Sequence, residues 1–181
     1  ELVRQCIEAG ITVTSLPGPA ACITALTMSG LGTRRFCFEA FLPPDKKERS
    51  RILSELVNET RTIILYEAPH HLAATLEELY QTLGERKITL CRELTKRYEE
   101  ADFTVLSEAA EKYRINEPKG EFVLVIEGRP AEEIRKEKQK SWEAISISQH
   151  MKRYLEEGMD SKNAMKAVAK DRGISKRDVY Q

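Results

Sequence analysis

The sequence predicts an α/β fold, a mixed sheet of about five strands flanked by helices, followed by a small all-helical appendage. Short apolar runs, such as residues 63–66 and 122–126, have the length and composition of strands that are buried on both faces. Stretches with apolar residues at helical spacing lie between these runs, and this alternation is typical of α/β proteins. Residues 141–181 instead repeat helix start and stop signals, which predicts helices alone.

The elements of the α/β region are predicted from their apolar patterns and their ends. The predicted helices cover residues 1–9, 19–29, 45–58, 69–83 and 107–113, and the predicted strands cover residues 11–15, 36–42, 63–66, 87–92, 103–105 and 122–126. Asp45 suits a helix N-cap, and Pro69 suits the first turn of a helix, where no backbone N–H is needed. Gly84 suits the position after a helix end. Residues 63–92 are therefore predicted to form one β-α-β unit, and in open α/β sheets ligands bind at the carboxyl ends of such strands.

The chain is predicted to divide into three parts. These are an α/β domain (1–129), a charged and partly helical linker without an apolar stripe (130–140), and a small domain that resembles a helix-turn-helix (141–181). The first helix of the small domain is predicted to cover residues 142–156. Either Asp160 or Ser161 is predicted to cap the second helix, and Ser175 is predicted to cap the third.

The composition restricts the class of protein without identifying it. The chain has no net charge, but residues 129–181 carry a net charge of +4 and residues 1–128 a net charge of −4, which suggests a polyanionic partner. The four cysteines form no CxxC pair, so we expect free, mostly buried thiols and a reducing, cytoplasmic environment. No apolar run reaches the ~20 residues that span a bilayer, so no membrane partner is expected. The chain opens within an amphipathic helix and has no initiator methionine, so we interpret it as lacking an N-terminal part.

Several familiar chemistries have no matching motif in the sequence. His70 and His71 are adjacent, and this spacing does not place two metal ligands on one helix face, so no metal site is expected. The sequence contains no P-loop, no GxGxxG and no GxSxG motif. Polar residues remain at the strand ends, and these are Tyr66, Glu67, His70, Arg92, Glu93, Lys96 and Glu121. The residues alone therefore predict an α/β domain with a ligand-binding edge, and nothing more specific.

Five segments carry a resemblance to a known family. They are LPGPAACITAL, RFCFEAFLP, RTIILYEAPHHL, CRELTKRYEE and KGEFVLVIEG, in this order along the chain. Together they resemble the C-terminal domain of the small-subunit ribosomal RNA methyltransferases of the tetrapyrrole methylase superfamily, and the resemblance covers essentially the whole chain. It implies transfer of a methyl group from S-adenosylmethionine (SAM) to the ribose 2′-OH of a cytidine in the 30S subunit. It also implies a SAM cleft between two α/β domains, the first of which is absent from this chain, and a homodimer.

The resemblance implies roles for particular residues. The candidates for cofactor binding are Pro17, Gly18, Pro19, Ala20, Ala21, Leu65, Tyr66, Glu67 and Glu121. Arg92, Glu93 and Lys96 are expected to face the cleft where the ribose enters. We expect Glu93, assisted by Lys96, to orient or deprotonate the hydroxyl, and Arg92 to hold either a phosphate or Glu93 itself.

Positive charge identifies the candidates for RNA contact. They are Lys46, Lys47, Arg49 and His70 near two predicted helix starts, and Lys162, Lys166, Lys176 and Arg177 in the small helical domain.

Three alternatives stay open: Arg92 and Glu93 form a structural ion pair, the protein methylates a corrin precursor, or the chain is a non-catalytic module for RNA binding or dimerisation. The central geometric expectation is that the corner at Tyr66 and the corner at Arg92 lie side by side on one edge of the sheet.

Overall fold

The structure, a computed structural model, describes residues 1–180, and in that range it has five strands and nine helices. The strands are β1 (Phe36–Phe41), β2 (Thr62–Glu67), β3 (Lys87–Arg92), β4 (Glu100–Val105) and β5 (Phe122–Ile126). The helices are α1 (Leu2–Glu8), α2 (Ala21–Met28), α3 (Lys46–Leu56), α4 (Pro69–Leu83), α5 (Leu106–Ile115), α6 (Ala131–Glu143), α7 (Ile147–Glu156), α8 (Ser161–Arg172) and α9 (Lys176–Tyr180). The predicted fold class, a mixed sheet of five strands with flanking helices and a helical C-terminal part, is confirmed.

The five strands form one sheet in the order β1-β2-β5-β3-β4. β1 and β2 are parallel, whereas β5 is antiparallel to both β2 and β3 and therefore separates the two parallel strands of the β2-α4-β3 unit. Phe122, the first residue of β5, pairs with Glu67 at the end of β2 and with Arg92 at the end of β3. The two polar corners therefore lie on one edge of the sheet, on either side of Phe122.

Both faces of the sheet are covered, which explains why β2 and β5 are continuous apolar runs. Helices α3, α4 and α5 cover one face, where their leucines and alanines pack on Ile63, Leu65, Leu124 and Ile126. Helix α2 covers the other face, where it packs on Ile64, Cys91, Val123 and Val125. All four cysteines are free, and two of them, Cys37 and Cys91, are buried. Burial raises the pKa of each of these two thiols to about 11, so both are unreactive at neutral pH.

The start of α3 and both ends of α4 form where the local sequence predicts them. The side chain of Asp45 accepts a hydrogen bond from the backbone N–H of Glu48 at 2.9 Å and caps α3. Pro69 is in the first turn of α4, and Gly84 ends that helix with a φ of +73°. None of the helices α1 to α9 has the length and hydropathy needed to cross a membrane.

Two predictions of local structure are wrong. Residues 11–15 form no strand, because no neighbouring strand pairs with them, and Ile11 and Val13 are 58% and 41% exposed. The helix predicted for residues 142–156 is broken, because Ser146 forms a capping box with Gln149 and starts α7 there. The preceding charged segment is a continuous helix, α6, with Glu132 and Glu133 in its first turn, where acidic groups complement the helix dipole. Because α6 packs on α8, it joins the helical appendage, which we define as α6 to α9.

Candidate active site

A cavity of about 460 Å³ opens at the edge where β2 and β3 end and β5 begins, and we call it the edge cavity. Its walls are formed by Ala21, Phe41, Tyr66, Glu67, Ala68, Pro69, Leu94, Lys96, Glu121, Phe122 and Val123. Five of the residues predicted for the site from the sequence thus meet here: Ala21, Tyr66, Glu67, Lys96 and Glu121. Apolar walls with a few convergent polar groups are typical of small-ligand sites.

Tyr66 connects the end of β2 to the start of α2. Its hydroxyl oxygen accepts a hydrogen bond from the backbone N–H of Cys22 at 3.2 Å. The rings of Phe38 and Phe41 lie edge-on to its ring, with centroid distances of 4.9 and 5.6 Å. Burial raises the pKa of Tyr66, so the phenol stays protonated and keeps its O–H as a donor. Tyr66 therefore fixes the first turn of α2 and offers a hydrogen-bond donor on the wall of the edge cavity.

Glu67 is engaged in a buried hydrogen-bond network. Its Oε1 accepts a hydrogen bond from the N–H of Ala68 at 2.8 Å, and its Oε2 accepts one from the hydroxyl of Thr75 at 2.5 Å. Arg49 donates to the same hydroxyl oxygen at 2.9 Å and forms an ion pair with Glu78 at 2.5 Å. Glu67 thus stabilises the corner between β2 and α4. Arg49, a predicted RNA contact, is a member of this network, and its side chain is only 18% exposed.

The loop after β3 places Lys96 on the wall of the edge cavity. Glu93 has a φ of +49°, a conformation that residues other than glycine adopt rarely. Its Oε1 accepts hydrogen bonds from the backbone N–H of Glu121 at 2.9 Å and from Nζ of Lys96 at 3.0 Å. These two bonds lower the pKa of the Glu93 carboxyl, the backbone bond more strongly. Lys96 Nζ also contacts Oε2 of Glu121 at 3.1 Å, and its bonds to Glu93 and Glu121 raise its pKa.

Gly120 is required for this arrangement, and the sequence reasoning missed it. Its φ is +87°, and a Cβ at this position would lie 2.6 Å from Cγ and 2.8 Å from Oε1 of Glu93. A larger residue at 120 would therefore displace the carboxylate that holds Lys96. The available signal was a glycine two positions before a buried strand, because a glycine beside a strand often marks close approach of another chain segment.

Arg92 has a different partner from the one expected. Its Nη2 lies 3.1 Å from Oε2 of Glu100 on the neighbouring strand β4, and its side chain is 30% exposed. Its Nε is buried and, among residues 1–180, has no hydrogen-bond partner. Arg92 therefore forms a structural ion pair across two strands, as in the alternative considered for it, although with Glu100 instead of Glu93.

The remaining candidates lie outside the edge cavity. Pro17, Gly18, Pro19 and Ala20 are exposed in the segment before α2, and the side chain of Leu65 is in the core. Lys46, Lys47 and His70 are exposed at the starts of α3 and α4. Lys162, Lys166, Lys176 and Arg177 are exposed on α8 and α9 of the helical appendage. No group of three metal-ligating side chains occurs in the part of the chain that the structure describes.

Comparison with known proteins identifies the family. Residues 1–110 match the sequence model of the family described as Tetrapyrrole (Corrin/Porphyrin) Methylases. The chain therefore belongs to the tetrapyrrole methylase family. The fold agrees, because a crystal structure of the methyltransferase CobJ superposes with a TM-score of 0.50 at 22% identity, over 68% of this chain and 54% of that chain.

Individual relatives have more specific names than the family description. The chain is 45% identical over 180 residues to a ribosomal RNA small subunit methyltransferase I of Halalkalibacterium halodurans, covering 99% of this chain and 62% of that protein. It is 41% identical over 180 residues to the protein of the same name from Bacillus subtilis, covering 99% of this chain and 61% of that protein. These relatives and the family match confirm the family resemblance that was identified from the sequence. The chain spans about three fifths of the length of these relatives.

Proposed function

We propose that the protein containing this chain transfers a methyl group from SAM to the ribose 2′-OH of a cytidine in small-subunit ribosomal RNA. This chain would supply one wall of the cleft. The observation that carries the proposal is the convergence of Tyr66, Lys96 and Glu121 on the edge cavity, in a chain 45% identical to a relative named for this class of substrate. The complete 30S subunit as partner, a homodimer and a cytoplasmic location are further predictions from the resemblance.

The edge cavity suits a ligand of the size and chemistry of SAM. Its volume of about 460 Å³ is within the range of about 300–1,000 Å³ typical of small-ligand sites. Ala21, Phe122 and Val123 would contact the apolar parts of the cofactor, and the Tyr66 hydroxyl would donate to one of its polar atoms. The exposed turn of residues 17–20 leads directly into Ala21 on the cavity wall, so it would lie beside the bound cofactor. When bound, SAM supplies a methyl group that its sulfonium activates for displacement.

Lys96 is the residue that we assign to the reacting hydroxyl. Its raised pKa keeps it an ammonium group at neutral pH, and it lies on the cavity wall. A positive charge near the 2′-oxygen lowers the pKa of the hydroxyl and stabilises the negative charge that develops as its proton passes to water. Glu93 would orient Lys96 through their 3.0 Å hydrogen bond. Its lowered pKa makes it a weak base, so an orienting role is better supported than deprotonation.

Single-turnover methylation by the intact protein tests these roles. Substitution Lys96→Ala should lower the rate by about 10²- to 10³-fold, as the loss of one charge-stabilising donor does elsewhere. Glu93→Gln keeps an acceptor oxygen for Lys96 and should lower the rate less. Lys87 is the first residue of β3, at the other end of that strand from the edge cavity. Lys87→Ala is therefore the matched control and should leave the rate unchanged.

Three outcomes would contradict the proposal at different levels. If Lys96→Ala methylates at the wild-type rate, the assignment of Lys96 is wrong. If Glu93→Gln abolishes turnover as Lys96→Ala does and removes the acidic limb of the pH profile, Glu93 is the base. If the wild-type protein binds SAM in calorimetry but methylates a tetrapyrrole and no ribosomal RNA, the substrate class is wrong.

We also propose that the helical appendage binds RNA phosphates through its exposed cations on α8 and α9. The double substitution Lys162→Ala/Lys166→Ala should weaken RNA binding. It should also reduce the slope of log affinity against log salt by about 0.7 for each phosphate of a single-stranded RNA that the variant no longer neutralises. The control is Lys136→Ala/Lys140→Ala on α6, outside the predicted set. Equal slopes for the wild type and the α8 double variant would rule out this role.

A further inference from the structure

A second groove of about 570 Å³ lies beside the edge cavity, and we call it the side groove. Its walls are formed by Phe41, Leu42, Pro43, Pro44, Lys46, Arg49, Glu67, Ala68, His71, Ala74, Thr75 and Glu78. Three of these residues, Phe41, Glu67 and Ala68, also line the edge cavity. The two depressions are therefore adjacent, and Phe41 forms part of the wall of both.

Phe41 is held in an unusual position by its strand. The register of β1 against β2 shifts between Phe38 and Ala40, and Ala40 has a φ of +54°. Strict alternation would place Phe41 on the face of Cys37, but this bulge places it opposite Tyr66, on the other face. Its ring packs on the Tyr66 ring with a centroid distance of 5.6 Å, and the residue is nevertheless 59% exposed. The bulge thus presents an aromatic ring, packed on Tyr66, to both depressions.

The side groove combines apolar walls with positive charge at its rim. Pro43 and Pro44 extend the apolar surface beside Phe41, and Lys46, at the first position of α3, lines the groove. Lys47 and His70 are exposed nearby at the starts of α3 and α4. The two carboxylates that line the groove are already engaged, Glu67 with Ala68 and Thr75, and Glu78 with Arg49.

We infer that the side groove binds the nucleotide next to the methylated one, with its base on Phe41 and its phosphate at Lys46. This inference rests on the proposed function. Aromatic platforms with a cationic rim are how proteins hold single-stranded nucleic acid, because every base has a face that stacks. Under the proposed function the methyl donor and the reacting ribose belong to the edge cavity, so the adjacent groove receives the next part of a polymeric substrate. At about 570 Å³ the side groove has the size of a typical small-ligand site, which suits one nucleotide.

Steady-state methylation of an RNA oligonucleotide by the intact protein tests the inference. Phe41→Ala should raise the KM for RNA by about 5- to 150-fold, the range that corresponds to removal of one base–aromatic stack. Phe41→Trp should keep the KM near the wild-type value, and Lys46→Ala should raise it and reduce its salt dependence. The Kd for SAM, measured by calorimetry, should change less than twofold in Lys46→Ala. In Phe41→Ala, whose side chain also lines the edge cavity, the KM for RNA should rise by a larger factor than the Kd for SAM. Phe103→Ala, an aromatic 63% exposed on β4 at the far edge of the sheet, is the matched control and should have no effect.

An RNA without a base at one flanking position separates stacking from indirect effects. Two such RNAs are needed, one for each side of the methylated nucleotide. On one of them Phe41→Ala should no longer raise the KM, because this RNA has no base to stack on Phe41 in the wild-type protein either. If the variant raises the KM equally on intact RNA and on both of these RNAs, Phe41 acts through Tyr66 and the inference is wrong. Failure of the proposed function would look different, because the wild-type protein would then methylate none of the RNAs.

Discussion

The sheet region (β1 to β5 with α2 to α5) and the helical appendage are stabilised by different kinds of side chain. In the sheet region, every residue of β5 is buried, and Leu76 of α4 has no exposed surface. In the appendage, the residues without exposed surface are Ala164 and Val168, which are small, and His150, which is polar. Burial of apolar area is the main favourable term in folding. The sheet region therefore depends on apolar packing, whereas the interior of the appendage is formed by two small apolar side chains and the interactions of one imidazole.

His150 is the centre of those interactions. Its ring stacks on the indole of Trp142 with a centroid distance of 3.7 Å. Arg172 donates from Nε to Nδ1 of His150 at 3.2 Å and from Nη2 to the carbonyl oxygen of Ile145 at 2.6 Å. An accepting Nδ1 requires the neutral ring with its proton on Nε2, which lies 3.4 Å from Oδ2 of Asp171. Burial, and then the charge of Arg172, lower the pKa of His150. The appendage is therefore assembled around a histidine that must stay neutral.

The largest expected effect is in the sheet region. Leu76→Ala should lower the free energy of unfolding by about 2–5 kcal/mol, because it leaves a cavity between α4 and the sheet. Circular dichroism during urea unfolding measures this loss for the whole chain, while fluorescence of the single tryptophan, Trp142, reports on the appendage. We expect the fluorescence midpoint to stay unchanged. The control is Leu155→Ala on α7, where the leucine is 45% exposed. A fluorescence midpoint that falls together with the circular dichroism midpoint would show that the two regions unfold as one unit.

At low pH the order of the two effects should be reversed, so that the appendage unfolds before the sheet region. The folded pKa of His150 is below its unfolded value of about 6.5, so the neutral histidine contributes its full stabilisation above that pH. This stabilisation is lost as the pH falls below about 6.5 through the folded pKa, because only the unfolded state binds the proton readily. Trp142 fluorescence should change over this range while the circular dichroism of the sheet region persists. His150→Gln, which keeps an acceptor for Arg172, should remove the transition; if the transition persists in that variant, another group causes it.

The β-α-β unit could be predicted from the sequence because local signals specify it. The apolar run before Glu67, Pro69 at the start of α4 and Gly84 at its end each act within a few residues of their position. The common edge of the two polar corners follows from strand direction alone. Local signals were insufficient at residues 11–15, because alternation predicts a strand only where another strand is available for pairing.

The position of the candidate site at one edge of the sheet was predictable, but which of the candidate side chains face the cavity was not. Which group faces the cavity depends on interactions between residues far apart in the sequence. Glu93 is engaged by the backbone of Glu121, 28 positions away, and Arg92 pairs with Glu100 on the next strand. Arg49 appears in the sequence as one of several cations near a helix start, and only the fold shows that Glu78 neutralises it. Charge and motif therefore identify the edge of the sheet, and tertiary packing decides that Lys96 is the cation on the cavity wall.

The smallest effect, and the most closely matched test, concerns two aspartates that cap helices in the two regions. Asp45 accepts one backbone N–H bond at the start of α3, and Asp160 accepts two at the start of α8, from Lys162 and Asn163. Loss of such a cap costs about 0.5–2 kcal/mol. We expect Asp160→Ala to increase hydrogen exchange throughout α7 to α9, because this small core has little apolar area to hold α8 in place. Asp45→Ala should increase exchange only in the first turn of α3, since Leu53 and Leu56 keep the rest of that helix buried. If hydrogen exchange increases over an equally long segment in both variants, the two regions do not differ in how strongly their interiors hold their helices.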